Sequence, residues 1–280
     1  MFLSGMSGWD VDKIFRIALD TVGDHLRRKS FYLLLAVAVL FILTIRGCYD
    51  ADFTVNNRKI DPVTLAWHAS IVVFHVISLG MNIMAILLAM RIFTRDSDDG
   101  TAVLYLARPV SRLQYMLGRL TGTWLLCACF MFILHLTVFI IAWGKTGGIM
   151  PGYLTASLVC STTLLFIIIL VCLLTFLLPD FIAALTALGL ITIGFVSDGG
   201  YRLLSSDIVK GMLTGSASAS VSTWRIFYPK VGMLQHYAST LITGDEFQAM
   251  GPVHPFINVA VYCALCLFLT IAIFNRKEVY

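Results

Sequence analysis

Charge is what this sequence has least of. Asp, Glu, Lys and Arg make up 13% of its 280 residues, where a soluble domain carries about 25%. Hydrophobic residues reach 59% and the mean hydropathy is +0.87. That leaves too little polar surface to cover a soluble protein of this size. A detached soluble domain is excluded, and an all-α integral membrane protein is expected. The formal net charge of +4 is small and points to no nucleic-acid partner. Where the basic residues lie matters more than their sum.

Complete chemical motifs are also missing. Of the cysteines, all but Cys48 fall inside apolar runs. Cys263-x-x-Cys266 has redox or zinc spacing, but it sits in mid-span without a second pair and reads as small apolar core. Gly144-Lys145-Thr146 resembles the end of a phosphate-binding loop. That loop needs a glycine where Phe139 stands, and a strand before it. The acidic run Asp96, Asp98, Asp99 fails as a calcium loop, because its acids and glycine are out of step and Ala107 holds the place of the required glutamate. No metal, cofactor or catalytic constellation is expected in this chain. No secretory signal is expected either: the first long apolar run begins near Phe31, behind a charged amphipathic stretch, and no small-residue cleavage site follows.

What the chain does have is apolar segments. Residues 1–30 place Val11, Ile14, Phe15, Ala18, Val22 and Leu26 at helical spacing, with Lys13, Arg16, Asp20 and Asp24 elsewhere. This predicts an amphipathic elbow helix lying on a membrane surface. The six spans expected in 31–280 run over about 31–45, 63–91, 120–143, 153–178, 181–196 and 256–274. Pro179-Asp180 makes a tight turn between the fourth and fifth. Residues 197–252 form a long polar insert, within which Met233, Leu234, Tyr237, Ala238 and Leu241 predict a helix at or dipping into the interface. Gly118-x-x-x-Gly122 allows close helix contact.

The second span carries a polar pattern. Thr64, His68, His75, Ser78 and Asn82 step by four, seven, three and four, and so share one helical face. Such residues inside a membrane face protein or a wet cavity. The two histidines are about 10 Å apart along a helix, too far to bind one ion. An interhelical polar stripe is expected, compatible with lining a transport path.

The longest polar connection on the side of the termini is 92–118. It opens with Asp96, Asp98 and Asp99, breaks at Gly100-Thr101, continues through a short apolar turn over 102–107, and stops at Pro109. Ser111 and Gln114 then form a capping box. A plain connection between spans needs no such detail, whereas a surface gripped by another protein does. With both termini on one side, that side holds twelve Lys and Arg against eight on the other, four of the eight in the long insert. Termini and connection are therefore expected in the cytoplasm.

At these residues the chain resembles the permease subunits of type-2 ABC exporters. Asp96, Asp98, Gly100-Thr101, Leu104, Pro109-Val110-Ser111-Arg112 and Leu117-Gly118-Arg119 are similar to that family's acidic residues, GT, apolar turn, P-x-S-R and L-G-[KR] run. Ala18 to Leu35 resembles its elbow helix and first span. Aspartates stand where the family usually has glutamate, and Ala102 where leucine usually follows GT.

The resemblance implies a partner, a cytoplasmic ABC ATPase dimer that binds ATP and magnesium. It also implies a second permease copy or a paralogue, a path between the two, and a bacterial cytoplasmic membrane. On this basis Asp96, Asp98, Asp99, Gly100, Thr101, Val103, Leu104, Leu106, Pro109, Ser111 and Arg112 are expected at the ATPase-coupling surface. Competing readings are an ATPase-associated assembly factor, a membrane-embedded enzyme, and a self-sufficient secondary transporter. The last predicts mid-bilayer carboxylates, and none falls inside the spans as drawn.

Overall fold

The computed structural model describes residues 8–27, 29–50, 54–55, 58–59, 62–98, 107, 110–147, 152–205, 228–244, 246–247 and 253–276. Among them the chain is helical apart from turns and short links and a two-residue ladder, Thr54–Val55 antiparallel to Arg58–Lys59, between residues 50 and 62. In order the helices are α1 (Gly8–Leu26), α2 (Lys29–Asp50), α3 (Pro62–Ala89), α4 (Ile92–Asp98), α5 (Arg112–Thr146), α6 (Gly152–Thr175), α7 (Asp180–Ser205), α8 (Val231–Thr243) and α9 (Pro255–Arg276).

Five helical stretches are long and apolar enough to cross a membrane: Ala66–Asp96, Arg112–Gly144, Gly152–Thr175, Asp180–Gly200 and Pro255–Phe274. The apolar part of α2, Leu35–Gly47, is shorter, although the whole helix has 22 residues, about 33 Å at 1.5 Å per residue. Burial ranks the helices. In the most apolar stretch of α6, 61% of residues are buried, against 28% in α7 and 22% in α9. So α6 is the axis of the bundle, and α7 and α9 stand at its edge. Their outward residues include Phe181, Val196, Val261 and Phe268, each more than half exposed. Apolar surface on this scale is what hydrocarbon covers.

Local chemistry sets the helix ends. Ser111 is extended (φ −74°, ψ 152°); its Oγ accepts from Gln114 N–H at 3.2 Å, and Gln114 Oε1 accepts from Ser111 N–H at 2.8 Å, the expected capping box. At the far end Gly147 (φ 66°) donates to Trp143 O in a left-handed cap. The Gly-Lys-Thr run therefore finishes a helix. Between α6 and α7 the chain turns within a few residues, and Pro179 O accepts from Ala183 N–H at 2.9 Å.

The bundle has two ends. At one, Phe93 of α4 contacts Phe176 beyond α6, Phe274 of α9 and Tyr115 of α5, with ring centroids 5.3, 5.6 and 6.4 Å away. Thr94 Oγ1 donates to Asp180 Oδ1 at 2.7 Å. At the other end lies α8, and here the expected boundary changes. The helix of the fifth expected span does not stop near Val196 but continues to Ser205. The helix inside the insert is also more deeply placed than a surface helix, with Val231 to Gln235, Ala238 to Thr240 and Ile242 all buried. It approaches α6 and α7 backbone to backbone: a Cβ on Gly152 would fall 1.7 Å from Leu241 O, and one on Gly232 would fall 2.9 Å from Asp198 Cβ.

The extension of α7 also corrects the distribution of carboxylates. Asp198 is fully buried inside the apolar stretch Asp180–Gly200. It receives Tyr228 O–H, and its Oδ2 accepts Met233 N–H at 2.8 Å. It thus caps α8, whose own N-cap, Lys230, makes no side-chain cap. An aspartate spent on a helix terminus in this way is a structural group.

Candidate functional site: a buried charge cluster between α1, α4 and α5

The site starts from two glycines. Gly118 and Gly122 lie one turn apart on α5, and α1 rests on them. A Cβ at Gly118 would fall 2.7 Å from Ile17 Cβ, and one at Gly122 would fall 2.5 Å from Ala18 O. The expected close contact is thus with the N-terminal helix. It also revises which face of α1 is used. Ile17, Ala18, Thr21 and His25 are buried, whereas Val11, Phe15, Leu19 and Leu26 remain exposed. Helix α1 has two apolar or weakly polar sectors side by side, one on α5 and one open.

Arg119 sits between the glycines, 3% exposed. Its Nη2 donates to Asp96 Oδ1 at 2.9 Å, and its Nε lies 2.7 Å from Asp96 Oδ2, an ion pair bent away from hydrogen-bond geometry. On the other side Nη1 donates to Asp24 Oδ2 at 2.9 Å and to Thr21 Oγ1 at 3.3 Å. Tyr115 O–H donates to Asp96, and the guanidinium carbon is 5.8 Å from the Tyr115 ring centre. Below this, Thr123 Oγ1 donates to Arg119 O at 3.0 Å and lies 3.4 Å from His25 Nε2. One arginine therefore joins three helices through two carboxylates. Truncating one partner of a buried pair costs about 3–5 kcal/mol because the other charge is stranded. That figure applies to Asp96, with 8% of its side chain exposed, and not to Asp24, with 45% exposed.

The expected coupling residues separate accordingly. Asp96 is turned inward onto Arg119. Ser111 and Arg112 are exposed at the start of α5. Asp98 ends α4, and its side chain is outside the described residues. Asp99, Gly100, Thr101, Val103, Leu104, Leu106 and Pro109 also lie outside them.

The polar stripe of α3 is distributed along the helix. Thr64 is in its first turn, with its side chain outside the described residues, and His68 is exposed. His75 Nδ1 lies 3.0 Å from Gln235 Nε2, which also donates to His75 O at 3.4 Å. Ser78 Oγ donates to Cys160 Sγ at 3.8 Å, and Asn82 is buried. His75, Leu79, Phe195, Gly232, Gln235 and His236 line a cavity of about 270 Å³ where α3, α7 and α8 meet. Among the described residues no cluster of three His, Cys, Asp or Glu is placed to hold a metal ion. His135, not singled out from sequence, is fully buried: its Nδ1 lies 2.9 Å from Ser157 Oγ, and its ring stacks on Phe74 at 4.5 Å.

An apolar bundle carrying a polar connection pinned by a buried cluster defines a polytopic integral membrane protein. The chain belongs to the ABC-2 family of transporter proteins, whose family model matches residues 25–197, and is a permease subunit of that type. This family is the membrane component of its transporters and is not itself catalytic. Among curated proteins no sequence matches the chain.

Proposed function

We propose that this chain is the membrane permease of an ATP-driven export complex in a bacterial cytoplasmic membrane, with ATP and magnesium bound by a separate ABC ATPase dimer. Residues 1–30 form the elbow. The six-span domain follows, with α2 as the first span, and both termini and the α4 connection face the cytoplasm. The open stripe Val11, Phe15, Leu19 and Leu26 supports an elbow lying on lipid. A second copy or a paralogue completes the path, and lipid covers the remaining outward faces.

The observation that carries this reading is the seating of α4. Phe93 is packed among aromatic rings of three other helices or turns, and Asp96 is held by Arg119. A connection anchored at both its apolar and its charged side transmits a push on 98–112 into the spans. Asp98, Asp99, Gly100, Thr101, Val103, Leu104, Leu106, Pro109, Ser111 and Arg112 form the ATPase-facing surface, and Asp96 is its internal anchor. The His68–Asn82 face and the cavity beside His75 belong to the transport path or to the contacts that frame it.

Copurification tests the proposal. Tagged protein extracted in mild detergent brings down a stoichiometric cytoplasmic ATPase, and replacing Gly100-Thr101 together with Pro109 removes it while the permease still elutes as a single species. No ATPase with the unaltered chain sinks the reading.

A further inference from the structure

The cluster that anchors α4 also reaches α1, and its two halves are unequal. Asp96 is nearly inaccessible to water, whereas Asp24 is almost half exposed. The Asp96 bond is therefore held by burial, and the Asp24 bond is weakened by solvent and salt. Arg119 lies between the two glycines on which α1 rests, so it is central to that contact. Both carboxylates draw on one guanidinium, and a shift of α4 that turns it is felt at Asp24.

We propose that Arg119 is a positioning residue that makes α1 a second output of the coupling segment. Displacement of α4 passes through Asp96 to Arg119 and through Asp24 to α1, so the N-terminal helix moves along the membrane surface in step with α3 and α5. The inference rests on the permease reading above. Lysine at 119 keeps the charge but replaces a planar fork by a single ammonium. It serves one carboxylate at a time, which breaks the chain of contacts without removing the cation.

The test uses the full-length permease with its copurifying ATPase in lipid nanodiscs, with and without a non-hydrolysable ATP analogue. Hydrogen exchange is followed in α1 and in 92–98. In the unaltered complex the nucleotide changes exchange in both segments. In Asp24→Asn and Arg119→Lys the response of α1 falls about fivefold or more, in the range of ordinary coupling energies. The response of 92–98 and the amount of bound ATPase persist in Asp24→Asn. The double variant is no worse than either single one, because both break the same link. An α1 response equal to the unaltered protein's in both variants overturns the proposal, as does an unaltered α1 that ignores nucleotide while 92–98 responds. Should Arg119→Lys fail to fold, Asp24→Asn decides alone, its carboxylate being partly solvated. Absence of ATPase from the unaltered preparation overturns the permease reading itself, a different outcome from a bound ATPase with an unresponsive α1.

Discussion

Asp198 is the residue on which the α8 end closes. It is fully buried and takes two hydrogen bonds, from Tyr228 O–H and from Met233 N–H. Alanine there removes the acceptor of the part-buried Tyr228 hydroxyl and leaves Met233 N–H without its partner. The expected loss is about 1–3 kcal/mol for each unsatisfied group, read as a lower thermal midpoint in detergent. Asparagine keeps one acceptor oxygen and should lose less. If alanine matches the unaltered midpoint, the capping role assigned to Asp198 fails. A second residue-scale expectation concerns Ser111, where alanine removes the acceptor for Gln114 N–H and costs about 1 kcal/mol. Ser111 is exposed, so helix-cap loss alone should account for the change. The same melt checks it.

Helix α1 shows how far an element is legible from its own residues. Its existence and amphipathic character follow from spacing within one segment. Which apolar sector meets protein does not, because both sectors are apolar enough and the decision belongs to α5, about a hundred residues away. Gly118 and Gly122 accept the stripe of Ile17, Ala18 and Thr21, leaving Val11, Phe15 and Leu19 open. The Ser111–Gln114 box was readable for the opposite reason, since both partners lie three residues apart. The Asp24–Arg119 pair spans 95 positions, and no periodicity reports it. The depth of α8 was hidden for the same reason: its apolar positions were visible, but the partners that admit it, the bare backbone of Gly152 on α6 and Asp198 on α7 against Gly232, lie on other segments. At this scale the prediction is for Gly122→Val. Its branched side chain enters space 2.5 Å from Ala18 O, which belongs to backbone and cannot rotate away. The helix should lift from α5, and limited proteolysis should cut within 8–26 several times faster. Unchanged cleavage, with a folded bundle, would mean that α1 does not depend on this contact.

For the whole molecule the open question is which end faces the cytoplasm, and the structure makes it a single measurement. The charged cluster, Phe93 and the α6–α7 turn share one end; α8, Asp198 and the start of α9 share the other. Thr94 and Arg112 are exposed at the first, and Glu246 and Val253 at the second. Cysteines introduced singly at these four positions can be offered a membrane-impermeant thiol reagent in intact cells, against the labelling of the unaltered chain. Among the described thiols Cys127, Cys160, Cys172 and Cys266 are buried, whereas Cys129 is exposed and Cys263 half-buried, so the unaltered chain sets the background to be subtracted. Positions 246 and 253 should react at once, and positions 94 and 112 only after the membrane is opened. The basic residues argue for this orientation on average, but Lys230 is itself buried, with its backbone N–H bonded to Asn258 Oδ1 at 2.9 Å, so it carries little weight in the charge rule. The proposed export function requires the same orientation, since an ATPase could act on α4 only from the cytoplasm. Reaction of 94 and 112 from outside would place the cluster where no ATP-driven partner can reach it, and the coupling role of Asp96 and Arg119 would fall together with the export function built on it.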